Sequence, residues 1–143
     1  MKEELLVRLS NADAVASKEG EVRAILKEEL SAYSDEITYD TLGSISFHKK
    51  GTAEKPLKIM FCAHMDEVGL IVKSVTDEGY LKFGCVGGID RRVLLGKRVT
   101  VGEKAVPGVI GLKAIHLTKA EERKKVPKLT DLYLDIGAKD KEE

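Results

Sequence analysis

A histidine followed two and three residues later by carboxylates ends an apolar run of this chain, Ile59-Met60-Phe61-Cys62-Ala63-His64-Met65-Asp66-Glu67-Val68-Gly69. These are the residue types of a metal centre. Neutral imidazole is a common ligand for divalent zinc, cobalt or manganese, and a carboxylate on the ring's other nitrogen fixes its tautomer and orientation. His64 and Asp66 are two apart, so in an extended chain their side chains leave the same face. Taken alone, a His-x-Asp pair also recurs in proteins that hold no metal, so the elements that position it must carry the argument.

Leu57 to Ala63 is apolar on both alternating faces apart from Lys58. That pattern predicts a strand covered on both sides, as in a parallel or mixed α/β sheet. His64 then stands at the carboxyl end of the strand, where such sheets hold their ligands. Upstream, Lys2 to about Leu9 reads as a short helix with Leu5, Leu6 and Leu9 on one face. Ser17 is the expected cap of a second helix from Lys18 to about Tyr33, whose stripe is Val22, Ile25, Leu26, Leu30 and Tyr33. Strands at Glu36 to Tyr39 and Ser44 to His48 are joined through Asp40-Thr41-Leu42-Gly43, where glycine permits a turn conformation denied to other residues. His48 precedes Lys49 and Lys50 and reads as solvated.

After Val68 the pattern changes to short apolar strands at Val68 to Val75, Tyr80 to Cys85, Arg98 to Val101, Val106 to Leu112 and Leu132 to Ile136, separated by glycine-rich turns. Such spacing predicts a small β-barrel or sandwich. His116 is expected at a strand edge. Thr118-Lys119-Ala120-Glu121 forms a capping box for a helix of one or two turns that Pro127 stops, and the charged stretch to Lys128 reads alternatively as a hairpin loop. Arg91, Arg92, Lys97 and Arg98 form a basic cluster that suits a solvated loop, or contact with an acidic patch on another subunit.

With 43% hydrophobic and 34% charged residues over 143 positions, the composition excludes disorder and membrane spanning. Twenty-four basic and 24 acidic residues cancel, so no nucleic acid or anionic membrane is expected as a partner. The first six residues are too acidic for a signal peptide, which makes the cytoplasm the default location. Cys62 and Cys85 lie in strand-like runs and are expected as buried, reduced thiols.

The string Ala63-His64-Met65-Asp66-Glu67-Val68-Gly69 resembles the signature of the tetrahedral aminopeptidases, family forty-two of the metallopeptidases. Leu9-Ser10-Asn11, Glu19-Gly20-Glu21-Val22-Arg23, Asp40-Thr41-Leu42-Gly43-Ser44, Val86-Gly87-Gly88, Gly108-Val109-Ile110-Gly111 and Asp135-Ile136-Gly137-Ala138 follow in the family's order. Family members are glutamyl, leucyl or lysyl aminopeptidases, and some carry the names endoglucanase or cellulase. The resemblance implies an α/β fold: part of a zinc-exopeptidase-like catalytic sheet with its helices in residues 1–70, and a PDZ-like or small β-barrel insertion in residues 71–143. It implies two divalent metal ions, zinc or cobalt, with His64 as a ligand and Asp66 as the acid supporting it. Short peptides are the implied substrates, and self-association into tetrahedral dodecamers is the implied assembly.

The same resemblance implies that the other ligands, the general base and the residues choosing the substrate's first side chain lie outside these 143 positions, since family members are more than twice as long. Asp140-Lys141-Glu142-Glu143 has the pattern that opens a helix, and the ending reads as a cut. The 143 residues are therefore expected to be inactive alone. A non-catalytic β-barrel module for binding or assembly is the competing reading. A glycosidase reading needs a carboxylate pair flanking a sugar bond, for which His64 has no use.

Overall fold

The computed structural model describes residues 2–143, which divide after Val68 into two compact units. In the first, helix α1 (Lys2–Asn11) is joined to helix α2 (Gly20–Leu30) by the Arg8 guanidinium, which donates to Glu28 at 2.5 Å and Glu29 at 2.7 Å. A 3-10 turn, Ser31–Tyr33, continues α2. Strands β1 (Glu36–Tyr39) and β2 (Ile45–His48) follow as an antiparallel hairpin with Glu36 opposite His48 and Tyr39 opposite Ile45. At its turn the Asp40 carboxylate accepts the backbone N–H groups of Leu42 and Ser44 at 2.9 and 2.8 Å. Hydrogen bonds from Ser44, side chain then backbone, hold that carboxyl below its ordinary pKa. Gly43 supplies the positive φ of 92°.

Helix α2 starts later than its apolar stripe predicts. Ser17 is not its cap: it sits at a φ of 73° and donates its backbone N–H to the Glu19 carboxylate at 2.7 Å, while Glu19 itself is the capping position. Val22 of the stripe is buried and Ile25 and Leu26 pack beside it, but Leu30 and Tyr33 face solvent. The small core of this unit is Ala12, Ala14 and Val22, with Leu9, Ile25, Leu26 and Met65 against them.

The expected strand Leu57 to Ala63 does not form. Residues 55–66 carry no regular structure, and every residue from 51 to 64 is exposed. Leu57, Met60 and Phe61 are 84%, 85% and 94% exposed. A strand exists only through hydrogen bonds to neighbours, and in this unit β1 and β2 pair with each other alone. Cys62 is correspondingly exposed rather than buried.

The second unit is one antiparallel sheet of five strands, β3 (Gly69–Val75), β4 (Leu81–Val86), β5 (Arg98–Val101), β6 (Val106–Leu112) and β7 (Leu132–Asp135), in the order β3-β4-β7-β6-β5. Alternation in β4 and β7 buries Leu81, Phe83, Leu132 and Leu134, which join Leu94 and Ile110 in the core. Leu70, Ile71 and Val72 of one edge strand and Val99, Thr100 and Val101 of the other line a single cleft of about 270 Å³, so the sheet curls its edges toward one another. A bulge between Val72 and Ser74 accompanies the curl. His116 lies in a 3-10 turn, Ile115–Leu117, rather than on a strand edge, and the capping-box segment yields only a four-residue helix, α3 (Ala120–Arg123). The mixed α/β class therefore holds, with the helices concentrated in the first unit and the sheet in the second.

Ile110 is 1% exposed at the centre of the second core. Ile110→Ala is expected to cost about 2–5 kcal/mol through lost transfer energy and a residual cavity. Urea unfolding followed by the amide signals of β4, β6 and β7 checks it, and a loss under about 1 kcal/mol would show that the site collapses around the smaller side chain.

Candidate metal centre

His64 emerges from a backbone that is tied down on its C-terminal side. Glu67 donates its N–H to the Ala14 carbonyl at 2.8 Å and its carboxylate accepts the Ala14 N–H at 3.1 Å, while Val15 and Glu67 form an isolated parallel bridge. Met65, two residues before, packs into the Ala12, Ala14 and Val22 core. The loop between α1 and α2 thus grips residues 65–67 from both backbone and side chain. Glu67, the second acid of the motif, has a structural role, and three positions from His64 it falls on the opposite side of an extended chain from His64 and Asp66.

His64 and Asp66 do meet. The imidazole Nδ1 lies 3.0 Å from the Asp66 carbonyl oxygen and 3.2 Å from its carboxylate. With Nδ1 donating its proton to these acceptors, Nε2 is the lone-pair donor, and the His64 side chain is 86% exposed. This arrangement fits one coordination position of a divalent ion, held in the correct tautomer by the acid beside it. Among the described residues no cluster of three or more His, Cys, Asp or Glu side chains could hold a metal. Leu26, Phe47, Phe61, Met65, His64 and Asp66 contribute to the lining of a cleft of about 390 Å³ in this unit.

His48 is exposed at the end of β2, opposite Glu36. In the basic cluster, the Asp90 carboxylate caps the turn Arg91–Val93 by accepting the Arg92 N–H at 3.0 Å and takes the Arg92 guanidinium on both oxygens, Nε donating to Oδ1 at 3.0 Å and to Oδ2 at 2.9 Å and Nη2 to Oδ2 at 2.5 Å. One of the four cations is thereby neutralised locally, and Asp90 is held at a pKa of about 2, first by the Arg92 side chain and then by its backbone N–H.

A family model described as M42 glutamyl aminopeptidase matches residues 43–143. The chain belongs to this family. Over 98% of the M42 chain, a relative in Acetivibrio thermocellus is 39% identical. The crystal structure of a TET aminopeptidase from Thaumarchaeota archaeon SCGC AB-539-E09 superposes on 98% of the M42 chain with a TM-score of 0.91 and 43% identity, and 40% of that structure is covered. A Pyrococcus horikoshii TET1 peptidase, described as assembling into a tetrahedron or a large octahedral shell, is 38% identical over 99% of the M42 chain with a TM-score of 0.82, and 42% of it is covered. The M42 chain spans about 40% of the length of the curated relatives it matches.

Replacing Glu67 by Ala leaves the Ala14 N–H without its charged acceptor and is expected to cost about 1–3 kcal/mol, whereas Glu67→Gln keeps a carbonyl oxygen there and should cost less than half as much. Amide exchange at Ala14 is the measurement, and equal effects of the two changes would mean that the side-chain bond contributes nothing. For Asp90, a carboxyl carbon titration should give a midpoint near 2, and Arg92→Ala should return it toward the ordinary 3.8. Because the folded value is depressed, the contribution of this pair to stability is present above the ordinary carboxylate range and disappears as pH falls through about 2.

Proposed function

We propose that the chain contributes to a dinuclear metal-dependent aminopeptidase that removes N-terminal residues from short peptides, with His64 as a metal ligand through Nε2 and Asp66 as the acid that positions it. The observation that carries this reading is the His64–Asp66 pair, Nδ1 engaged and Nε2 open, in a chain of the M42 family. Two zinc or cobalt ions, when bound, would lower the pKa of a bridging water and polarise the scissile carbonyl. The chain's own part is to present one imidazole in a single tautomer and orientation. The remaining donors and the general base are assigned to parts of the family fold that these residues do not span, since the chain covers 40% of its matched relatives. In this reading residues 1–70 belong to the catalytic domain, and the curled sheet of residues 71–143 is a PDZ-like or barrel insertion. The TET assemblies among the structural neighbours support self-association. The setting in this reading is the cytoplasm.

Titration of the 143-residue chain with cobalt tests the ligand assignment without relying on turnover. Paramagnetic broadening is expected at the His64 ring ahead of His48 and His116, and His64→Ala should abolish it. Asp66→Asn should weaken cobalt binding by about 10- to 100-fold through loss of the positioning acid. Broadening centred on His48 or His116 instead would overturn the assignment. Against aminoacyl chromogenic substrates with zinc or cobalt the 143-residue chain alone is expected to show no chelator-sensitive turnover, and such turnover would refute the placement of the general base outside it.

A further inference from the structure

Three strings of the sequence meet at one place in the first unit. Glu19-Gly20-Glu21-Val22-Arg23 opens helix α2, Asp40-Thr41-Leu42-Gly43-Ser44 turns the hairpin, and Ala63-His64-Met65-Asp66 carries the candidate ligand. The first two take no part in holding a metal, yet Glu19, Leu42, Gly43 and Ser44 line the same 390 Å³ cleft as His64 and Asp66. Arg23 joins them. Its Nε donates to the Gly43 carbonyl at 2.7 Å, and its Nη2 lies 3.8 Å from the Glu19 carboxylate, whose other oxygen accepts the Ser17 N–H at 2.7 Å. The two side chains are only 26% and 16% exposed, so the guanidinium is braced in a partly dry place, where a charged donor holds its acceptor more strongly than in water.

The hairpin leaves α2 from its far end, after the turn Ser31–Tyr33, and its tip returns to Arg23 near the helix's start. Among the described residues, none of β1 or β2 belongs to the core around Ala12, Ala14 and Val22, so burial in that core does not seat the tip. At Gly43 a side chain is excluded twice: φ is 92°, and a Cβ would stand 2.7 Å from Arg23 Nη2. We propose that Arg23 is a positioning residue of the His64 cleft. Its guanidinium, braced by Glu19, seats the turn 40–44 as a wall of that cleft, with Leu42 as the wall's apolar part and Ser44 as its polar part. For its use in catalysis the role rests on the aminopeptidase reading, in which this wall bounds the space that a substrate beside the metal occupies. The seating of the turn rests on the Arg23 contacts alone.

Residual dipolar couplings of the 143-residue chain in a dilute aligning medium read the position of the turn without a metal. The amides of α2 and of the β1–β2 hairpin are expected to fit one alignment tensor. Arg23→Met removes the bond from the helix, and Gly43→Ala displaces the guanidinium from the side of the turn; each should leave the two elements needing separate tensors. Arg23→Gln, whose amide N–H reaches the place of Nε, should restore the single fit. Separate tensors in the unaltered chain overturn the proposal, as does a single tensor in Arg23→Met. So does a loss that Arg23→Gln fails to restore, since Gln and Met are alike in bulk and differ in the donor. Cobalt added to the same samples reads the cleft. The relaxation it causes at the Leu42 and Ser44 amides should fall to less than half in Arg23→Met, while the His64 ring broadens as before. Broadening of His64 that spares Leu42 and Ser44 in the unaltered chain overturns the turn's role as a cleft wall and leaves the ligand assignment standing. Tensors that respond to Arg23 with no cobalt effect at His64 defeat the aminopeptidase reading and leave the seating of the turn intact.

Discussion

The first unit depends on the reciprocal grip between Ala14 and Glu67. Two hydrogen bonds, backbone to backbone at 2.8 Å and backbone to carboxylate at 3.1 Å, join positions more than fifty residues apart in a unit whose buried core is three small or medium side chains. Ala12 and Ala14 bring no large apolar area, so burial alone would hold residues 65–67 weakly. A charged acceptor on a half-buried N–H adds what the core does not. His64 and Asp66 flank Met65, which this grip seats in the core, and so their mutual geometry is inherited from the backbone.

That inheritance matters because an exposed ion pair contributes little by itself. The His64 and Asp66 side chains are 86% and 47% exposed, and water screens their attraction. What orients the ring is the additional Asp66 carbonyl at 3.0 Å, a backbone acceptor whose position is set by the clamp at the next residue. The second unit solves its own problem differently, by alternation and close approach. Ile110 and Leu132 are each 1% exposed, and Gly111 lets the Tyr133 ring pass where an added Cβ would stand only 2.6 Å away.

The parts of the fold legible in the sequence are those whose hydrogen bonds are local or whose pairing partners lie in the same unit. The ranges expected for β1, β5 and β6 match the observed strands, β2, β3 and β7 differ by a residue at one end, and β4 is shifted by one residue at both ends, because alternation records a buried face whenever the opposing face is solvated. Helix α2 was legible from Val22, Ile25 and Leu26, but its start was not, since Ser17 adopts a positive φ that no cap can have and the periodicity carries no trace of it. Leu57 to Ala63 reads as a strand and is none here. Its pattern encodes a partner, not a local conformation, and β1 and β2 are already paired with each other. The partner of Glu67 was not legible for the same reason: it is Ala14, fifty-three positions earlier. His64 and Asp66 were legible as a pair because two-residue spacing is a local property.

Exposure of the His64 cleft bears on its chemistry as well as its stability. An ion held by one imidazole in water is weakly bound, and electrostatic effects on a bound water or a substrate carbonyl grow as solvent is excluded. Under the proposed reading, the apolar residues around His64 are therefore part of the chemistry. Leu26, Phe47 and Phe61 would form one wall of a low-dielectric site. The clamp at Ala14 and Glu67 serves the same end from the backbone side, because it sets residues 65–67 and with them the acceptors that orient the imidazole.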